Sequence, residues 1–315
     1  MGSNAASHRH LSQTHHELCV LGFGYNGETY LALPKTSLAD LPEDLTPENL
    51  TPHLIVAKFN HPDVTSHPLA SEITVMKQVP PHRHLISHLA SHHDGPIQWL
   101  TLPFCPGGDL ASFIRCRSYV PSISFASHCI LQLTHALAFL YFGISNLFPS
   151  NPSEEQQPNP NWKPVHHGDL NANNIFLRPA PSADEAYGNF PDLVLADFGR
   201  ARALPEDPSA YEKHRHLRGS IVDIRDLGGV IVDLCGESRV VREHFGQTGA
   251  ALEDFDVEGG GEMKFETRVL EQLRRLARTA VVEREERYVA LSQEMAMGLS
   301  KVRFTEEDIE RVLGE

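Results

Sequence analysis

The sequence predicts an α+β protein of two lobes, a small β-rich one followed by a larger helical one. Three observations carry that expectation. Residues 18–30 alternate around Gly22, Gly24 and Gly27 and are followed by a strand-like run at 53–59, which reads as a hairpin feeding a sheet. Residues 125–141 hold apolar side chains at helical spacing over more than four turns, as a core helix does. Two acidic loops each border a short apolar strand, one in residues 167–177 and the other in 193–199. The expected boundaries are a disordered tail at 1–16, an N-lobe at 17–105 and a C-lobe at 106–315.

Within the first lobe, Gly27 is followed by Glu-Thr-Tyr-Leu-Ala-Leu, an alternating β pattern. A dinucleotide-binding turn of the same glycine spacing would have to open a helix there. A hairpin with glycines at its tip lets backbone amides lie close over phosphates instead. Residues 34–52 carry four prolines and read as a surface insertion. Leu69, Ile73, Met76 and Val79 recur at helical spacing around Glu72. Residues 84–90 and 97–102 read as two further strands. In the second lobe, 148–164 is a polar, proline-rich and disorder-prone insertion, with another at 178–191. Residues 266–299 and 304–313 read as closing helices, the last capped by Thr305.

Composition narrows the function classes. The chain has 315 residues, 41% hydrophobic, enough for a sizeable core. Net charge is −14, which leaves no electrostatic footprint for nucleic acid or anionic membrane. Five cysteines without a C-x-x-C pair argue against a disulfide framework or a cysteine zinc site and favour a reducing compartment. The 19 histidines lack the i, i+4 spacing with a carboxylate that a helical zinc site uses, and no metal is assigned to them. The first seventeen residues hold no apolar h-region, and the longest apolar-rich run, 130–148, is interrupted by polar residues. The expectation is a soluble intracellular protein, cytoplasmic or nuclear, with no membrane span.

The chemistry-bearing stretch is His167-Gly168-Asp169-Leu170-Asn171-Ala172-Asn173-Asn174, followed by Asp197-Phe198-Gly199. Asp169 could address a hydroxyl, while Asn174 and Asp197 are oxygen ligands of the kind Mg²⁺ takes. Either triplet alone is an ordinary acidic turn; both together, in this order and beside strands, point to one site. They resemble the catalytic and magnesium loops of the protein kinase superfamily. The glycine hairpin, the Val-Ala-Lys run ending at Lys58, and the Pro103-Phe104-Cys105 and Gly107-Gly108-Asp109-Leu110 runs resemble the same family in order.

The resemblance implies a bilobal protein kinase-like fold, with ATP and Mg²⁺ as cofactors and a hydroxyl-bearing acceptor, protein in the first instance. Asp169 would orient or deprotonate that hydroxyl, and Lys58, paired with Glu72, would hold the α- and β-phosphates. Asn174 and Asp197 would hold the metal. Gly22, Gly24, Gly27, Thr29, Ala57, Leu102, Phe104, Cys105, Asp109 and Phe176 would join Lys58 in binding ATP. His167 would pack beside Phe198, and Asp223, in a buried helix around 221–234, would accept hydrogen bonds from the catalytic-loop backbone. Three departures stand out: Gly168 replaces the Arg of H-R-D, Asn171 replaces a lysine that steadies the γ-phosphate, and no Ala-Pro-Glu lies between Asp197 and Asp223. Serine/threonine phosphorylation of protein is therefore expected alongside two alternatives, a small-molecule kinase of the aminoglycoside or choline type and a pseudokinase that binds partners without turnover.

Overall fold

The computed structural model describes residues 2–24, 27–41, 47–60, 69–94, 97–115, 121–147, 157–179, 190–236, 238–253 and 265–285. They divide into two compact units, one from the described residues of 1–80 and 86–106, the other from those of 81–85 and 107–299.

The first unit is built on a five-stranded antiparallel sheet. Its strands are β1 (His15–Gly24), β2 (Gly27–Pro34), β3 (Ile55–Asn60), β4 (Ala90–Asp94) and β5 (Ile97–Pro103), in the order β1-β2-β3-β5-β4. Period-2 alternation sends residues to opposite faces. Leu31 and Leu33 pack with Leu18, Leu50 and Leu54, while Ala32, Ile55, Ala57 and Phe59 pack with Leu11 and Trp99.

Leu11 belongs to helix α1 (Gly2–Leu11), so the disordered tail expected at 1–16 is corrected. The segment is polar in composition, but two of its histidines are paired. His8 stacks on Phe59 with ring centroids 4.0 Å apart and bonds Glu17 at 2.8 Å, and His10 accepts from the Trp99 indole at 3.1 Å. A single buried leucine among paired histidines anchors a helix that average hydropathy does not reveal. The insertion at 34–52 is likewise tied down: helix α2 (Pro47–Leu50) buries Leu50 against Leu31 and Leu54. Helix α3 (Leu69–Gln78) buries Leu69, Glu72, Ile73 and Met76, positions that share one helical face.

The strand expected at 84–90 is also corrected. Residues 81–85 belong to the second unit, where Leu195 donates its N–H to the His84 carbonyl at 3.0 Å and Leu85 bridges Leu195. The strand itself begins at Ala90. The apolar alternation of 84–90 serves two partners, which a period count cannot separate.

The second unit contains helix α4 (Leu110–Ile114), helix α5 (Ile123–Phe142), strands β6 (Val165–His166), β7 (Ile175–Arg178), β8 (Asp192–Leu195) and β9 (Arg202–Ala203), and helices α6 (Ala210–Cys235), α7 (Arg239–Glu253) and α8 (Phe265–Glu285). Ser122 caps the start of α5 and left-handed Gly143 (φ 70°) its end. α5 is long and apolar enough to cross a membrane, yet all its residues are buried against the rest of the unit, as in a core helix. Several of its polar side chains are hydrogen-bonded: Gln132 accepts from the Leu193 N–H at 2.6 Å, and Thr134 bonds the carbonyl one turn earlier at 2.5 Å.

One expectation for this unit changes. The C-terminal part of the 148–164 insertion is packed rather than disordered: Trp162 donates to the Leu140 carbonyl at 3.0 Å and lies so close to Gly143 that a Cβ there would sit 2.7 Å from its ring. Much of the 178–191 insertion, and of the closing helices beyond Glu285 with Thr305, lies outside the described residues, as does Cys116. Asp192, fully buried, is gripped by the Arg83 guanidinium at 2.9–3.1 Å, a partner 109 residues away.

Five partly or fully buried histidines of this unit are held neutral by desolvation. It pushes His82, His135 and His216 down to about 4, His166 to about 3, and His84 well below its ordinary value. A histidine whose folded value is depressed stabilises the fold above the unfolded value near 6.5, and that stability is lost as pH falls toward 4. Asp223 and Asp226, pushed up chiefly by burial to about 7 and about 6, and Asp233, raised by burial, act in the opposite sense. Five groups outweigh three, so acidification from pH 7.5 to 5.5 is expected to lower the melting temperature by about 5 °C or more. A melting temperature that holds or rises over that range would show that these imidazoles are already charged in the fold.

Candidate active site

In the first unit the sheet and α3 bring Lys58 and Glu72 together. Lys58 Nζ donates to both Glu72 carboxylate oxygens, at 3.0 and 2.7 Å. Lys58 is 9% exposed and Glu72 only 2%. Glu72 lies on the same helical face as Leu69, Ile73 and Met76, so helix packing itself carries the carboxylate inward. Removing one partner of such a pair strands a buried charge, at a cost of about 3–5 kcal/mol, whereas removing both for apolar residues costs far less. Glu72→Leu is therefore expected to lower unfolding stability by about 3 kcal/mol, and Lys58→Met/Glu72→Leu to recover at least half of it in denaturant titrations. Additive single losses would mean that the pair is not energetically coupled.

Cross-strand register shows which predicted ligand-facing residues share a surface. Lys58 is opposite Thr29 and Leu100, and Val56 is opposite Leu31 and Leu102. Thr29, Lys58 and Leu102 thus lie on one face of the sheet. Ala57 does not: it is fully buried on the other face with Leu11, Phe59 and Trp99. Its expected contact with nucleotide is corrected, and Val56 takes its place beside Lys58. Counting back by two from the lysine would have found it. Gly22 pairs with Thr29, whose hydroxyl donates to the Gly22 carbonyl at 3.2 Å, and Gly24 pairs with Gly27. The hairpin tip, Tyr25 and Asn26, lies outside the described residues. Phe104 packs on the Leu31–Leu54 cluster, and Cys105 is buried.

In the second unit the loop at 167–169 is braced from below. Asp223, on α6, accepts from the backbone N–H groups of His167 and Gly168, both at 2.6 Å, and from the Tyr141 hydroxyl at 3.0 Å. Burial pushes its carboxyl up to about 7, against the pull of those two amides and the hydroxyl. His167 sets its ring edge-on to Phe198, centroids 5.1 Å apart, and bonds the Ala196 carbonyl through Nε2 at 3.0 Å.

Above this brace, Asn174 donates through Nδ2 to the Asp169 carbonyl at 2.8 Å and to Asp169 Oδ2 at 3.1 Å. The Asn174 carbonyl accepts from the Ala196 N–H at 2.8 Å, so Asp197 follows directly beside it. Asp197 is left-handed (φ 62°), and among the described residues it is the one non-glycine at positive φ. Asp169, Asn174 and Asp197 are brought together by the β7–β8 hairpin. Asp109 caps α4, accepting from the Ser112 N–H at 2.6 Å and its hydroxyl at 2.8 Å. Phe176 is half-buried in β7 and forms a bridge with Asp109.

Two further residues escaped sequence reasoning. Asp226, one turn after Asp223, is pushed up to about 6 by burial and by the charge of Asp169. Arg200, directly after the Asp-Phe-Gly, places Nη1 3.6 Å from Asp169 Oδ1. The signal available for Arg200 was its position alone, one cation adjoining the Asp-Phe-Gly run.

An aspartate-bearing loop braced by a buried helix aspartate, one strand pair away from an Asp-Phe-Gly turn, is the arrangement of a protein kinase-like domain, and this chain carries one. Comparison with known proteins points the same way. The chain is 28% identical over 165 residues to the serine/threonine-protein kinase ULK3 of Homo sapiens, covering 52% of this chain and 28% of that one. It is 26% identical over 178 residues to the serine/threonine-protein kinase atg1 of Aspergillus niger, covering 44% and 16%. To the serine/threonine-protein kinase unc-51 of Caenorhabditis elegans it is 28% identical over 140 residues, covering 43% and 14%. The chain thus spans less than a third of the length of the curated relatives it matches. No family profile matches it.

Proposed function

We propose that this chain is an ATP- and Mg²⁺-dependent phosphotransferase that phosphorylates serine or threonine hydroxyls on protein, in the cytoplasm or nucleus. The observation that carries the reading is the Asp169–Asn174 hydrogen bond beside Asp197, because it joins an acid suited to a hydroxyl with two metal-suited oxygens. Asn174 spends its amide N–H on Asp169 and so keeps its amide oxygen for a cation. One carboxylate and one amide oxygen fit Mg²⁺, which takes few protein ligands and keeps water and phosphate in its other positions. When bound there, the cation neutralises charge that develops on the phosphates.

Asp169 orients the acceptor hydroxyl and takes its proton as the oxygen attacks the γ-phosphorus. Lys58, fixed by Glu72, steadies the α- and β-phosphates. Holding the reactants in line is most of the catalysis, and such positioning is worth about 7–11 kcal/mol of barrier.

One observation favours a small-molecule acceptor instead. α6 starts at Ala210, 13 positions after Asp197, and its first ten residues hold no buried side chain. Little chain remains there to dock a peptide.

The test is Mg–ATP turnover by the purified chain, with generic proteins, choline and an aminoglycoside offered separately, and nucleotide-induced thermal shifts recorded beside it. Transfer to protein that disappears in Asp197→Ala supports the reading. Transfer to choline or the aminoglycoside alone reassigns the acceptor. A thermal shift without transfer assigns a nucleotide-binding pseudokinase, and neither signal from folded protein refutes both.

A further inference from the structure

We propose that Arg200 is a catalytic residue, supplying beside the transferred phosphoryl group the cation that position 171 lacks. The proposal rests on the phosphotransfer reading above and deepens it.

Position 171 holds an asparagine whose side chain is already committed. Its Nδ2 donates to the Asp169 carbonyl at 3.0 Å, and its Oδ1 accepts from the Asn173 N–H at 3.0 Å and from the Asn173 amide at 3.2 Å. It closes a local turn and carries no charge. Among the described residues, Arg200 is the one cation paired with Asp169, at 3.6 Å, and it is 54% exposed against 34% for Asp169. An exposed pair of this kind contributes little to stability, so removing it should leave the fold intact.

The backbone explains how Arg200 comes so near. Gly168 is left-handed (φ 74°), and a Cβ there would lie 3.0 Å from the Arg200 carbonyl oxygen and 3.6 Å from the Arg200 Cβ. A side chain at 168 would strain that backbone and push the Arg200 segment away. The two departures, Gly168 for Arg and Asn171 for Lys, are therefore linked. Glycine at 168 admits the chain at 200, and Arg200 brings a positive charge to the loop that has none at 168 or 171.

In the transfer step the bond between the γ-phosphorus and the β,γ-bridging oxygen breaks, and a bond to the acceptor oxygen forms. The hydroxyl proton passes to Asp169, and ADP leaves with the bridging oxygen. Arg200 stays protonated throughout and turns its planar N–H fork from Asp169 to the phosphoryl oxygens, a geometry that suits arginine.

The test compares the full chain with Arg200→Ala, Arg200→Lys, Arg200→Ala/Asn171→Lys and Gly168→Arg, measuring transfer rate, affinity for Mg–ATP and Mg–ADP by calorimetry, and melting temperature. Arg200→Ala is expected to lose about 10²-fold in rate and to lower the ATP-over-ADP affinity ratio, with its melting temperature unchanged. Asn171→Lys in that background should restore about 10-fold, and Arg200→Lys should retain part of the rate. Gly168→Arg, although it recreates His-Arg-Asp, should lose rate rather than gain it. Unchanged rate and affinity ratio in Arg200→Ala would overturn the proposal, and so would a faster enzyme, which would make Arg200 a brake on Asp169. If the wild type transfers nothing, the phosphotransfer reading falls while the affinity ratio still decides whether Arg200 meets the γ-phosphate. A wild type that binds neither nucleotide removes both.

Discussion

Asp169→Ala is expected to lower phosphoryl transfer by about 10³-fold while leaving the fold intact. The carboxylate is one-third exposed, and its ion pair with Arg200 is more exposed still. Exposed pairs of this kind contribute about 0–1 kcal/mol, so truncation should move the melting temperature by no more than about 2 °C. Asn174 keeps its bond to the Asp169 main-chain carbonyl, which holds the loop after the side chain is gone. Activity and stability therefore separate at this residue. The measurement is transfer rate beside thermal melting on the same preparation. A variant that retains more than a tenth of the wild-type rate would place the hydroxyl-directing group elsewhere.

Asp223→Ala is expected to do the reverse, acting on stability first. Asp223 is fully buried and accepts from the backbone N–H groups of His167 and Gly168. Each N–H left without an acceptor in the interior costs about 1–3 kcal/mol. Tyr141 loses less, since its hydroxyl also reaches the Ser220 carbonyl at 3.4 Å. Set against this, alanine removes a carboxyl that burial already makes costly to ionise. The net loss should be about 3 kcal/mol, with Asp223→Asn intermediate because one acceptor oxygen survives. The order alanine, asparagine, wild type in denaturant midpoints checks the assignment. A melting curve for Asp223→Ala that overlays the wild type would show that the loop does not hang on this side chain.

Several parts of the fold were legible because their signals are local. Glycine spacing followed by β alternation marks the hairpin at 15–34, and the apolar periodicity of α3 marks the inward face that carries Glu72. α5 appeared within two residues of its expected start and one of its end, because a buried helix repeats its apolar residues over many turns. The same reading failed where one or two residues decide the outcome. Leu11 anchors a polar helix, Trp162 a polar insertion, and Leu50 a proline-rich one. A window average dilutes each of them.

Sequence alone determined the order of the loops: a glycine hairpin, Lys58, Glu72, Asp169 with Asn174, then Asp197. It could do so because each is a short motif whose residues touch their own neighbours. The tertiary structure alone decided which groups meet. It joined Asp192 to Arg83 across 109 residues, exchanged Ala57 for Val56 beside Lys58, and set Arg200 against Asp169 over Gly168. Those contacts depend on the path of the backbone between motifs, on strand register and on one left-handed glycine, and none of these leaves a periodic trace in the chain.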